Sequence, residues 1–325
     1  MRYRTTVAVI GLIALAVMPG CSATPSDSWH LRPLSLSRAA DVVPATASDL
    51  FVPVSLAADA AGGVWATSGS TWTHIDAAGD VDRQFSYEPF EPPWVIGAVD
   101  VVTPTQLIAG RTWSDGGYFG DLVLIDTVTL TTTELSHTEQ AVGDLVVTGR
   151  EVVFVSYKQG ETDTFVLRAA NLDDGSVRDV VSVRGDGATA SIADDPAGNV
   201  YVATREAVYS LSPDAEAVET LVTYVSPAPQ VVASSSGTLA WVAMPGAQEE
   251  TSYVIDGGSS RAREIIEAQA GCDTSRLMIG RPNAEVSLGA LCNPSSMAWL
   301  SDGRLVVSVG SEGGAPIVVV APPDL

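Results

Sequence analysis

From about Val54 onward, short apolar runs rich in Val, Ile, Thr and aromatic residues alternate with clusters of Gly, Asp, Pro and Ser, with hardly a helical period. Runs of this kind, bounded by turn formers, read as one β-strand after another. One unit recurs. Leu56 to Thr67, Ile192 to Thr204 and Met297 to Ser308 each show a strand, an Asp/Gly turn and a second strand, and the first two are followed by Trp72 to Val81 and Val208 to Asp214. Weaker copies place second strands at Leu107 to Gly110, Val152 to Ser156 and Leu239 to Ala243. The equivalent turns fall near Gly62, Thr105, Gly149, Gly198, Gly237 and Gly303.

A period of roughly 40 to 50 residues with four strands per unit predicts an all-β fold, a six-bladed β-propeller of four-stranded antiparallel blades. A seven-bladed ring is the alternative. The last unit has only about three strands, ending in Ile317 to Val320. His30 to Ser37 is expected to supply the missing outer strand, which closes the ring and removes an open sheet edge.

The first residues read as an address. Arg2 and Arg4 precede an apolar run from Val7 to Val17, followed by Met18-Pro19-Gly20-Cys21, the order of a secretory signal. The run is short for a bilayer span. Gly20-Cys21 resembles the lipobox of bacterial lipoproteins, although Met18 stands where Leu is usual and Pro19 where a small residue is usual. The resemblance implies a signal peptide at 1–20, acylation of Cys21 by groups such as palmitate, a polar tether at 21–28 and an extracytoplasmic place on the cell membrane. Secretion with cleavage after Ala23 is the alternative. Residues 29–325 are then read as a single propeller domain.

Composition narrows the partners. The 325 residues are 46% apolar and 17% charged, which excludes a disordered chain. Against 17 Lys and Arg stand 39 Asp and Glu; a net charge of −22 repels polyphosphate and excludes nucleic acid. An acidic surface favours a cationic partner or keeps an exported protein soluble. In an oxidising compartment Cys272 and Cys292 are expected to form a disulfide, worth about 3 kcal/mol, across an insertion at 272–292. A two-cysteine metal site would lack partners, because His30, His74 and His137 are distant in sequence.

The stretch Asp195 to Thr204, with the unit Ile75-Asp76-Ala77-Ala78-Gly79, resembles the repeat of NHL-type propellers, streptogramin B lyases and the senescence-marker/gluconolactonase group. That resemblance implies a site at the rim of the central channel, where the lactonases hold a divalent cation and the lyases act. The innermost strands are expected to start near Ser55, Ile96, Asp144, Ala190, Gln230 and Ser296, and among these only Asp144 is a carboxylate. The family's metal-binding Asp falls on Ala190, and Asn171, Asn199, Asn283 and Asn293 fall in turns or in the insertion. A hard cation needs several oxygen ligands, so neither metal nor cofactor is expected. His74 falls in a third strand and is read as structural. No Gly-x-Ser-x-Gly, His-Glu-x-x-His, phosphate-binding glycine loop or EF-hand loop occurs, and no catalytic residue is assigned. Turn chemistry accounts for Asp173-Asp174-Gly175 and Asp115-Gly116-Gly117.

Unequal loop lengths are the remaining clue. Long connections are expected on one face, at Trp113 to Asp121, Lys158 to Thr164, Met244 to Thr251 and Gly310 to Ala315, joined there by the linker from Tyr87 to Trp94 and by the insertion. Repeat architectures place insertions on their binding face. Tyr87, Phe90, Trp94, Trp113 and Tyr118, with Asp115, Asp144, Lys158 and Glu249, form the expected ligand-binding face, an aromatic and charged composition typical of recognition surfaces. Trp65, Tyr201, Trp241 and Trp299 lie in strands and are expected to fill gaps between blades. The expected role is a binding module for an envelope protein, peptide or glycan. The alternatives are a metal-dependent, lactonase-like hydrolase or lyase and a structural scaffold of an envelope complex.

Overall fold

A computed structural model describes residues 30–33, 55–68, 71–86, 94–113, 119–158, 160–223, 230–243, 276–280, 286–290, 294–309 and 317–321. These residues form six four-stranded antiparallel sheets arranged as a propeller. The first strand among the described residues, β1 (His30–Pro33), belongs to the last sheet. The first blade is β2 (Ser55–Ala58), β3 (Val64–Ser68), β4 (Thr71–Ile75) and β5 (Val81–Ser86), and the second is β6 (Trp94–Thr103), β7 (Gln106–Trp113), β8 (Gly120–Asp126) and β9 (Thr132–Thr138). The third comprises β10 (Ala141–Thr148), β11 (Glu151–Tyr157), β12 (Thr164–Asn171) and β13 (Val177–Arg184). In the fourth are β14 (Ser191–Asp194), β15 (Val200–Ala203), β16 (Ala207–Leu211) and β17 (Glu219–Thr223). The fifth has β18 (Val231–Ala233), β19 (Leu239–Ala243), β20 (Arg276–Gly280) and β21 (Val286–Ala290). The sixth has β22 (Pro294–Trp299), β23 (Leu305–Val309) and β24 (Ile317–Ala321), completed by β1.

A recurring Asp explains why the first hairpins of the first and fourth blades fold where they do. Asp59 Oδ1 accepts the N–H groups of Ala61 and Gly63 at 2.8 and 2.9 Å, and Asp195 Oδ1 accepts those of Ala197 and Asn199 at 2.9 and 3.0 Å. The Asp side chain thus satisfies donors that the tight turn leaves over. Gly62 and Gly198 sit at φ +88° and +82°, a left-handed backbone that glycine adopts at little cost. In the fifth blade Ser234 Oγ takes the carboxylate's place, accepting from Ser236 and Thr238.

Alternation sends the side chains of each strand to two blade interfaces. Ala57, Trp65 and Trp72 pack against Val99, Leu107 and Val123 of the second blade. Leu56, Val64 and Ala66 face the other way, onto Ala298, Leu300 and Val306 of the sixth. Both faces of a blade are therefore apolar, and each large side chain buried there contributes about 1.5–3 kcal/mol. Trp65, Tyr201 and Trp241 fill such interfaces, as expected.

Ring closure follows the expected route. β1 pairs antiparallel with β24, with His30 opposite Ala321 and Pro33 opposite Val318. As the outermost strand, β1 tolerates Pro33, which donates no ladder hydrogen bond. One expectation is corrected. Within the segment read as an insertion at 272–292, Arg276–Gly280 and Val286–Ala290 are the third and fourth strands of the fifth sheet. Arg276–Gly280 pairs with β19 and Val286–Ala290 with Arg276–Gly280, and the expected connection from Met244 to Thr251 lies outside the described residues. Cys21, Cys272 and Cys292 lie outside the described residues.

Candidate functional site

The innermost strands of all six blades line one central channel, enclosing a cavity of about 160 Å³. Two faces follow from the topology. Turns between first and second and between third and fourth strands define a turn face. The second-to-third connections and the blade linkers define the opposite loop face.

At the loop-face end of the channel, side chains of one blade capture backbone N–H groups of the next. Ser55 Oγ accepts from Val99 N at 3.2 Å, Ser191 Oγ from Val231 N at 3.3 Å and Ser296 Oγ from Leu56 N at 2.9 Å. Asp144 makes the same stitch with Oδ2, accepting Ile192 N at 2.9 Å, while its Oδ1 accepts Leu145 N at 3.0 Å. In the second blade the equivalent position is Ala98, and the stitch moves down the channel: Asp100 Oδ2 accepts Val147 N at 2.6 Å and Oδ1 accepts Val101 N at 2.7 Å. A neighbouring strand reinforces that junction, where Thr112 Oγ1 donates to Val142 O at 2.9 Å and accepts from Val142 N at 3.0 Å. Among the described residues, five blade junctions are thus joined by a side chain held against the neighbouring backbone.

Burial dominates the electrostatics of these acids. It pushes the Asp100 carboxyl up to about 7 against the opposing pull of its two N–H donors, with the negative charges of Asp194 and Asp144 adding to the rise. Burial likewise raises Asp144 to about 6, again against its N–H donors. Asp194, whose side chain bonds Thr148 of the preceding blade, also rises to about 6 through burial. Near neutral pH the channel therefore holds groups that exchange protons.

These positions revise the expected rim. Ser55, Asp144, Gln230 and Ser296 stand in the channel as expected, whereas Ser191 replaces Ala190, and Val99 and Asp100 line it in the second blade in place of Ile96. Acid is also more abundant than expected, because Asp100 and Asp194 line the channel together with Asp144. Both lie past the strand starts, toward the turn face and away from the channel mouth. The signal was available: Asp100 interrupts an otherwise apolar strand. Among the described residues no group of three or more His, Cys, Asp or Glu is placed to hold a metal ion.

The loop face gathers a second cluster on the second blade. Arg111, Asp121 and His137 are register partners across β7, β8 and β9. Asp121 is buried; its Oδ2 accepts Arg111 Nε at 2.9 Å and an Nη at 2.6 Å, and its Oδ1 lies 2.6 Å from His137 Nδ1. Beside it Trp113 stacks on Phe119 at 5.4 Å between ring centres, and Phe119 lies 5.9 Å from the His137 ring. Sequence reading found Trp113 here and missed Arg111, Asp121 and His137, whose meeting depends on the pairing of three strands. Trp94 is the register partner of Trp113. Lys158 is exposed at the end of β11, 3.3 Å from Glu161. Asp144 belongs to the channel wall and not to the loops. Tyr87, Phe90, Asp115, Tyr118 and Glu249 lie outside the described residues.

His74 has the structural role expected of it. Its ring is buried against Trp65 at 4.9 Å, with Nε2 2.8 Å from Asp59 Oδ2 and Nδ1 hydrogen-bonded to Asp82. A Cβ on Gly63 would meet the ring at 2.7 Å, so that glycine makes room for it.

No known family model matches the chain, and no curated protein matches it. Solved structures do. An auxiliary nutrient binding protein from Bacteroides thetaiotaomicron superposes with a TM-score of 0.55 at 9% identity, over 84% of this chain and 70% of that one. TolB from Acinetobacter baumannii gives 0.49 at 12%, over 78% and 59%, and an oligogalacturonate lyase in complex with manganese gives 0.48 at 12%, over 81% and 74%. At such identities the similarity establishes the propeller fold and nothing about the site.

Proposed function

We propose that the protein is an extracytoplasmic, lipid-anchored β-propeller whose loop face binds an envelope protein, peptide or glycan. In this reading residues 1–20 are removed on export, Cys21 carries the lipid, and Cys272 and Cys292 form a disulfide. Arg276 and Ala290, which flank the two cysteines by four and two residues on the inner side, are register partners, and that placement favours the bridge.

The observation that carries the reading is a division of labour between channel and loops. The cavity of about 160 Å³ matches a benzene-sized molecule and falls below the ~300 Å³ at which ordinary ligand pockets begin. Asp100 and Asp144 spend both carboxylate oxygens on backbone N–H groups. What remains for recognition is the loop face, with the Trp113, Phe119 and His137 rings beside a buried ion pair. The net charge of −22 favours a cationic partner there.

Capture from envelope extract tests the reading. Trp113→Ala should lose the partner while the thermal midpoint of the purified protein stays near wild type; unaltered capture would remove the loop face from consideration. A metal-dependent hydrolase or lyase would need stoichiometric divalent cation in the purified protein, and finding it would replace the binding reading with the enzymatic one.

A further inference from the structure

His137 is held so that one of its ring nitrogens is left to the outside. Asp121 is buried, and Arg111 fixes it from one side with Nε at 2.9 Å and an Nη at 2.6 Å on Oδ2, so that Oδ1 meets the imidazole 2.6 Å from Nδ1. An ionised carboxylate only accepts, so in the neutral ring the proton sits on Nδ1 and the lone pair on Nε2. Among the described residues nothing bonds Nε2, and the His137 side chain is 56% exposed. His74 is the contrast: Asp59 and Asp82 take both of its nitrogens, and its side chain is 9% exposed.

Two kinds of group surround this acceptor. Phe119 lies 5.9 Å from the His137 ring and Trp113 stacks on Phe119, so two half-buried π systems stand beside it. Glu134, exposed, comes within 4.0 Å of the Arg111 guanidinium and therefore lies on the same side of the blade, and Glu139 is exposed two residues past His137. With Arg111 as +1 and Asp121, Glu134 and Glu139 as −3, the cluster carries −2 beside a neutral imidazole. The connection from Ser114 to Tyr118 adds no lysine or arginine.

We infer that the His137 cluster is a binding site for a primary ammonium group, supplied by a lysine side chain of the partner. The inference rests on the loop-face reading and gives that partner a chemical class. An anionic group would be repelled by the local acids, and an apolar group would leave Nε2 without a donor. An ammonium meets every element of the site: one N–H donates to Nε2, while the positive charge faces the aromatic rings and the two glutamates. A compact ammonium also suits a single nitrogen acceptor better than a guanidinium, whose planar fork calls for a pair of oxygens. Arg111 is a positioning residue here, since both of the contacts above are spent on Asp121.

The chain has only 3 histidines, so the imidazole nitrogen resonances of isotope-labelled protein report the site directly, with the His137 pair identified by its loss in His137→Gln. The probe is the tripeptide Gly-Lys-Gly blocked at both ends. It should move the His137 Nε2 resonance saturably, with a dissociation constant on the order of millimolar, and leave His74 unmoved. The same peptide acetylated on its lysine should leave Nε2 where it was. Glu134→Gln and Phe119→Leu should each weaken binding about threefold. Absence of a saturable shift, or an equal shift from the acetylated peptide, would overturn the ammonium site. A shift from Gly-Gly-Gly with a free amino end, and none from the lysine peptide, would overturn the assignment to a side chain. Capture from envelope extract separates this site from the wider reading: capture that is lost in Trp113→Ala but unchanged after acetylation of the lysines in the extract would overturn the ammonium site and leave the loop-face reading standing.

Discussion

Aspartate does two different jobs in this protein, and comparing them shows how a ring of blades is held together. On the turn face, Asp59, Asp126 and Asp195 accept N–H groups two to four residues ahead in the same hairpin. In the channel, Asp100 and Asp144 accept an N–H from the next blade, 47 and 48 residues away. The hydrogen bonds are alike in length, but the surroundings reverse their electrostatic consequence. Near solvent, the donors prevail: Asp126 is held below the usual carboxylate range by the N–H groups of Thr129 and Val128. Asp195 also lies below that range, because Asn199, the Tyr201 hydroxyl and two backbone N–H groups outweigh its burial. In the channel burial prevails, and the same kind of bonding leaves the carboxyl near 6 to 7. A turn acid stabilises a local fold as an anion, whereas a channel acid joins two blades and resists ionisation.

The largest test of this contrast is Asp100→Ala, which leaves the buried N–H of Val147 without its acceptor. Measured at pH 5, unfolding should lose about 2–3 kcal/mol. A loss below ~0.5 kcal/mol would show that the junction is held by apolar packing alone.

Next is the pH dependence. Asp100 has a folded value of about 7, above the ~3.9 of an unfolded aspartate, so the folded state retains a proton that the unfolded chain releases. Its contribution is therefore full below about pH 4 and is lost as the pH rises through about 7. The thermal midpoint of the wild type should fall between pH 5 and pH 8, and Asp100→Asn should flatten that fall. Parallel profiles would mean that the carboxyl is already ionised in the folded ring.

A smaller effect is expected on the turn face. Gly198→Ala places a Cβ on a residue at φ +82° and should cost about 1 kcal/mol, read from denaturant midpoints. Smallest of all is Arg150→Ala. Its partner Asp173 and Arg150 itself are both largely exposed, so the midpoint should not move measurably. A clear loss there would give the turn face a role in stability that its solvated ion pairs do not suggest.

The two regions also differ in how much of them was legible beforehand. Asp195 and Gly198 announce their hairpin because donor and acceptor lie within five residues, and the repetition of that pattern indicated the blades and the closing strand. Asp100 carries no such signal, since its partner is set by the packing of the next blade. The third and fourth strands of the fifth blade were hidden for a related reason. Arg276 comes 33 positions after Ala243 (276 − 243), so spacing no longer marked where the blade resumed. The Arg111, Asp121 and His137 ladder likewise depends on the register of three strands.

What the amino-acid order determined by itself was the architecture of alternating strands and Asp/Gly turns, together with the acidic charge, because hairpin chemistry acts between near neighbours. Tertiary structure alone decided which acids face the channel and which backbone they hold. Those outcomes depend on contacts between blades some 40 residues apart or more, where packing and burial, not local preference, choose the partner.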